Sequence, residues 1–222
     1  LYNLPVDAKT VVLGGSYPGN LAGWLRAQLP FVVDAAIATS GPALGELDFS
    51  GYMVHAQAQI ERLGGAECFG NLTRALGYLN GLLDSDVPAF RDFYGIKLEN
   101  LGNEPSDLDK GNVQSSMTYG LISAVQTYQA PGFDGSDFPG TIQQICANFT
   151  AGLTADSDER AAARAYADLF PLEDAGNLTY AYYVEQLRRT DANDYSDSRA
   201  WLWQTCTEFG YYQTTAYEGQ VF

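Results

Sequence analysis

The sequence is short of several things, and each shortage removes a class of function. Only 12 lysines and arginines stand against 27 aspartates and glutamates, a formal net charge of −15. Binding a phosphate backbone needs cationic side chains that displace counterions, so nucleic acid is excluded as a partner. No apolar run approaches the roughly 18 residues that cross a bilayer, so no membrane span is expected. The three cysteines, Cys68, Cys146 and Cys206, lie far apart and without C-x-x-C spacing, which argues against a zinc site. The acidic run DANDYSDS at 191–198 lacks the glycine and closing glutamate of an EF-hand loop and reads as a solvated linker. No metal or cofactor is expected. An initiator methionine, a basic n-region and an h-region are also lacking, which reads as a mature form or an internal fragment.

What is present points to a globular chain. Its 222 residues, 46% of them hydrophobic, suffice for one large domain or two modest ones. Three N-x-[ST] sequons begin at Asn71, Asn148 and Asn177. Beside sparse cysteines they favour a secretory route, to the outside or to the lysosome. The odd cysteine then has a partner outside the chain or stays free.

Hydrophobic patterning divides the chain. TVVLGG at 10–15 is short, β-branched and apolar, as in a strand buried on both faces of a parallel sheet. GNLAGWLRAQLP carries Leu21, Trp24, Leu25 and Leu29 at helical spacing, and FVVDAAIATSGP at 31–42 is a second strand run. Together they form a βαβ unit. The periodicity then predicts helices near 50–63, 67–83, 111–128, 139–152, 157–169 and 178–190. Asp156 and Glu159 resemble a capping pair for the fifth of these. Joints fall at 84–88, 102–110, 131–140 and 191–198. The aromatic, β-rich RAWLWQTCTEFGYYQT at 199–214 reads as a return to strand. The expected architecture is an α/β fold, a partial hydrolase core formed by residues 1–45 and 199–222 around a helical cap at 46–198.

The join at GGSYPG carries the chemistry. A nucleophile elbow places a serine on a strained strand-to-helix turn, with small residues before and after it. Gly14 fills the first position; the second is held by Pro18 with Gly19 next, so the motif is G-x-S-x-P-G. Proline suits a first helical turn, where its missing N–H costs nothing. Ser16 is the candidate nucleophile, and the backbone N–H of Tyr17 the candidate oxyanion donor, aided by the positive end of the helix. The same string also fits a plain glycine-rich turn.

GGSYPGNLAGWLRAQLP, AIATSGPALGELDF and WLWQTCTEFGYYQT, in that order, resemble the family of prolyl carboxypeptidase, dipeptidyl peptidase II and thymus-specific serine protease. The thymus-specific branch is the nearest, since a proline after Ser-Tyr is familiar there. The resemblance implies an α/β-hydrolase core with a helical cap and exopeptidase chemistry on peptides, often beside proline. It places the nucleophile on Ser16. The family's acid and base follow the returning strand and have no counterpart before Phe222, so the chain looks like the middle portion of a longer protein.

Other residues compete for roles. His55, the only histidine, lies inside a cap helix and out of the expected Ser, Asp, His order, so it reads as a helical or pocket-lining residue. Asp34 reads as a sheet-end residue. Glu208 is a candidate for holding a substrate's terminal ammonium. Trp203, Tyr211 and Tyr212 are candidates for an apolar wall, although core filling accounts for them equally. Cys206 reads as bridged or buried. An inactive binding protein on the same scaffold and an esterase are the alternative functions. As an isolated piece the chain is expected to lack peptidase activity, to expose sheet edges and to aggregate or form a homodimer.

Overall fold

Val11 and Val12 open the first strand, and two glycines and a serine end it, as the β-branched run and its turn residues dictate. In the computed structural model, which describes residues 5, 7–127, 141–154, 156–172, 176–191 and 196–222, Val11–Gly15 forms β1 and Tyr17–Gln28 forms α1. Ala35–Thr39 forms β2, which runs parallel to β1 with Val11 opposite Ala35 and Gly15 opposite Thr39. α1 packs on both strands through Gly19, Asn20 and Ala22. This approach is so close that a Cβ on Gly14 would lie 1.9 Å from the Pro18 carbonyl oxygen. One on Gly19 would lie 2.8 Å from the Thr39 oxygen.

β1 is not buried on both faces, contrary to its apolar reading. Leu13 is 73% exposed and Ile37 49%. Among the described residues the sheet has two strands, and no other layer covers these side chains. An apolar strand needs a covering layer to be buried, and hydropathy alone does not say where that layer comes from.

The helical part follows its periodicity more closely. Ser50–Ser85 forms α2, broken at Gly65 (φ 81°, ψ 164°), between the two helices expected at 50–63 and 67–83. Val87–Tyr94 forms α3, Asp107–Thr127 α4, Ile142–Thr150 α5, Glu159–Leu169 α6 and Tyr180–Arg188 α7. The short α3 occupies part of a segment read as a joint; Asp86 caps it by accepting from Ala89 N–H at 3.1 Å. α6 is capped by Asp158, which accepts from Ala161 N–H at 2.8 Å, not by Asp156. Ala162, Ala163 and Ala167 give α6 a small-residue face that packs against α2. Leu76 and Leu79 of α2, Phe90 of α3, Leu121 of α4, Ile145 of α5 and Tyr166 of α6 share one buried core. A disulfide from Cys68 to Cys146 joins α2 to α5 across 78 residues, a closure worth about 4 kcal/mol in the chain-entropy account. Cys206, expected to be bridged or buried, is free and exposed.

The segment 199–214 departs most from its strand reading. Ser196–Gln204 forms α8, Thr205–Phe209 a π-helical turn, and only Gly210–Tyr212 forms a strand, here β4. β4 pairs in parallel with Glu46–Asp48, β3, setting Glu46 opposite Gly210 and Asp48 opposite Tyr212. Aromatic side chains favour strands because they pack on a half-buried surface, and a helix lying on other aromatics offers the same surface. The joint at 131–140 and half of the acidic run at 191–198, residues 192–195, lie outside the described residues.

Two predictions follow from the packing and the caps. Gly14→Ala should cost about 3 kcal/mol or more, because backbone atoms cannot yield to the new methyl. Gly77→Ala, where nothing lies within 4 Å of the new atom, should be neutral or stabilising by up to about 1 kcal/mol. Equal effects in denaturant unfolding would contradict the close approach. The second concerns Asp109, which accepts from Ser106 N–H at 2.8 Å, the Ser106 hydroxyl at 2.7 Å and Tyr180 N–H at 2.7 Å. It thereby ties the starts of α4 and α7 together. Burial acts to raise its pKa, but the bonds from the Ser106 hydroxyl, Tyr180 N–H and Ser106 N–H outweigh that and hold it below the ordinary value. A lowered carboxyl stabilises the fold above the unfolded value, about pH 4, and the stability is lost as pH falls through the folded pKa. Asp109→Ala should therefore cost about 1 kcal/mol at pH 7, and the gap from the parent should narrow as pH falls below about 4. A gap independent of pH would count against the assignment.

Candidate active site

Ser16 closes β1 and opens α1 with φ 59° and ψ −135°. A non-glycine residue in this region is strained by about 1–3 kcal/mol and persists only where its surroundings enforce it. Its N–H donates to Thr39 O at 3.1 Å, and its carbonyl accepts from Gly19 N–H at 2.8 Å. An ordinary serine at a helix start sits in extended backbone and accepts a bond from the second or third helical N–H. Ser16 does neither: its hydroxyl makes no capping bond, and the residue is exposed. The hydroxyl thus stands free at the positive end of a helix, beside the first N–H groups, which have no intrahelical acceptor.

The surroundings that enforce this turn are aromatic. The Tyr17 ring lies 6.1 Å from Trp24, 5.5 Å from Trp201 and 5.1 Å from Phe209, centre to centre. Phe209 also meets Trp201 at 5.5 Å and Tyr211 at 4.7 Å. Aromatic pairs contribute about 0.5–1.5 kcal/mol each beyond their burial, so three contacts on Tyr17 match the strain at Ser16. Polar bonds hold the loop after β2 in the same place. Asn20 Nδ2 donates to Pro42 O at 3.1 Å, and the Tyr211 hydroxyl donates to the same oxygen. The Thr39 hydroxyl donates to Gly14 O at 3.1 Å. Among the described residues the non-glycine positions at positive φ are Ser16, Ser40 and Tyr211. All three belong to this corner of the molecule.

The structure sorts the other candidates. Tyr211 joins the site, packed on Phe209 and, at 6.1 Å, on Phe49. Trp203 does not: it is 62% exposed and lines an open groove of about 590 Å³ with Leu187, Arg199 and Cys206. Trp201 takes its place beside the elbow. Residues two apart share a face of a strand but lie about 200° apart on a helix, so the two tryptophans face different ways. The Tyr212 hydroxyl points at Cys206 Sγ, 3.1 Å away. Glu208 is exposed in the π-helical turn, and no hydrogen bond or ion pair reaches it among the described residues. His55 is exposed on α2 and makes no hydrogen bond to Ser16. Asp34 accepts from Thr10 N–H at 2.9 Å and from the Lys9 ammonium at 3.0 Å, which together hold its carboxyl below the ordinary value and tie the sheet's entry.

Of the sequons, Asn71 is buried in α2 and accepts from the Arg74 guanidinium, so the fold covers the amide that a glycan would need. Asn148 is exposed on α5. Asn177 is half-buried, its oxygen accepting from Thr179 N–H at 2.9 Å and the Thr179 hydroxyl at 2.6 Å. No cluster of three potential metal ligands occurs among the described residues, and no described helix is long and apolar enough to cross a membrane. Sequence reasoning missed Trp201, Phe209 and Asn20. Trp201 and Phe209 stood in the aromatic block, but choosing between them and their neighbours required the helical period.

Comparison with known proteins adds the lineage. The chain is 30% identical to the thymus-specific serine protease of Mus musculus over 228 residues, 96% of this chain and 43% of that protein. It is 29% identical to the thymus-specific serine protease of Homo sapiens, over 96% of this chain and 42% of that protein. It thus spans about two-fifths of the length of these relatives. The profile of the family described as serine carboxypeptidase S28 matches residues 1–222, end to end. With the strained serine turn in place and the family match covering it, the chain belongs to the serine carboxypeptidase S28 family.

Proposed function

We propose that this chain carries the nucleophile of a serine exopeptidase, with Ser16 attacking the scissile carbonyl of a peptide. The observation that carries the reading is the Ser16 turn itself: positive φ, an exposed hydroxyl without a capping bond, and the N-terminus of α1 immediately behind it. In the proposed reaction the Ser16 oxygen adds to the carbonyl as its proton passes to a histidine, and the Tyr17 N–H receives the developing oxyanion. Collapse expels the amine, which takes the proton, and leaves an acyl-enzyme that water hydrolyses. The base and its orienting acid come from other segments of the full-length protein. That assignment is supported by the exposed position of His55 on α2 and by relatives more than twice as long as this chain.

The same reading assigns residues 1–45 and 199–222 to a hydrolase core and 46–198 to a helical cap. One feature supports it: the buried helical core extends from Ile60 to Leu178. Tyr211 belongs to the wall of the substrate site, where its ring suits a proline side chain, and Glu208 stands free to hold a substrate's N-terminal ammonium. A secretory location accords with the Cys68–Cys146 bridge, since such bonds persist in oxidising compartments, and with the exposed Asn148 sequon.

In the full-length protein, Ser16→Ala should lower kcat on peptide substrates by about 10⁴-fold or more while the unfolding transition stays cooperative. Peptides blocked at the N-terminus and others blocked at the C-terminus separate the two exopeptidase modes. Release of dipeptides that requires a free N-terminus is the outcome expected if Glu208 holds the ammonium. Undiminished hydrolysis by Ser16→Ala would contradict the proposal.

A further inference from the structure

The elbow has a weakness that a more ordinary helix start lacks. Ser16 supplies no side-chain cap, and Pro18 has no N–H to bond. The turn into the helix has Gly19 N–H bonded to Ser16 O at 2.8 Å, and depends besides on what holds Tyr17. Tyr17 meets Trp24 of its own helix and is held besides from outside it. Trp201 of α8 meets its ring nearly edge-on, at 75° between planes, and Phe209 of the π-helical turn meets it at a tilt of 35°. Phe209 is the shared contact, since it also touches Trp201 and Tyr211. Its own place follows from the two turns at its end, Gly210 at φ 77° and Tyr211 at φ 63°.

We infer that Trp201 and Phe209 are positioning residues, which by clamping the Tyr17 ring fix the direction of the Tyr17 N–H towards a substrate oxyanion. The inference rests on the reading of Ser16 as nucleophile. The peptide plane between Ser16 and Tyr17 contains that N–H, and a ring anchored on the Tyr17 Cα restrains the backbone torsions that turn this plane. A donor of this kind acts only when aimed at where the charge develops, and misplacement of about 1 Å can cost a hundredfold in rate. Segments more than 180 residues apart in sequence thereby meet at one N–H group. Neither residue needs to touch the substrate.

The test uses the full-length enzyme and two probes: a peptide substrate, and a peptide boronate that forms a tetrahedral oxyanion-like adduct on a serine. Trp201→Leu and Phe209→Leu should lower kcat about tenfold to a hundredfold and weaken the boronate in parallel, with KM changed less than about threefold. Trp201→Phe, which keeps a ring in the clamp, should restore most of kcat. The reading is taken from whichever leucine variant keeps a cooperative unfolding transition, so loss of one fold does not decide the matter. Unchanged kcat, or a rise in KM as large as the loss of boronate affinity, would overturn the clamp and leave these residues as packing or pocket wall. A wild-type enzyme that neither cleaves peptides nor binds the boronate would defeat the nucleophile reading and the clamp with it, whereas an active wild type with unmoved variants defeats only the clamp.

Discussion

The strand that leads to Ser16 and the helix that leaves it approach so closely that no side chain fits between them. A methyl on Gly14 would overlap the Pro18 carbonyl, and one on Gly19 would press on the Thr39 oxygen. That contact forces the chain to reverse within one residue, and Ser16 absorbs the reversal at φ 59°. The geometry of this corner depends on it. The reversal lifts the serine side chain clear of the sheet, keeps its hydroxyl from capping the helix, and leaves the helix N-terminus facing the same space.

Strain of this kind persists only where other contacts fix it. Here they come from far along the chain. Trp201 and Phe209 pack on Tyr17, while Tyr211 and Asn20 both donate to the Pro42 carbonyl. The helices between these two parts have their own core, with Tyr166 and Phe90 at its centre and a disulfide closing α2 on α5. The site is therefore built by the short segments that flank the helical region, and the helices bring those segments together.

Much of this was legible in the residues. β1, α1 and β2 followed from a β-branched run, a Gly-Ser-Pro turn and a second apolar run, and the break in α2 from adjacent glycines at 64 and 65. The Ser16 turn was legible for a physical reason, since a tight strand-to-helix reversal tolerates few residue types. Burial of β1 was not legible, because hydropathy records what a strand could bury and not what lies over it. The block at 199–214 misled because its aromatics carry β-propensity, whereas its place against Tyr17 and Phe49 made it mostly helical. That single change of period put Trp201, and not Trp203, against Tyr17. The burial of Asn71 beside Arg74 was not legible for a related reason: a sequon is a local pattern, and burial is tertiary.

Ser16, strained and with its hydroxyl free beside the helix N-terminus, is the proposed nucleophile. The most direct test of that role is a crystal structure of the full-length protein inactivated with a fluorophosphonate. The predicted result is a phosphorus bonded to Ser16 Oγ, with the phosphoryl oxygen within hydrogen-bond distance of Tyr17 N–H and Ser16 still at positive φ. Label on a different serine, or Ser16 in ordinary extended backbone with its hydroxyl capping the helix, would contradict it.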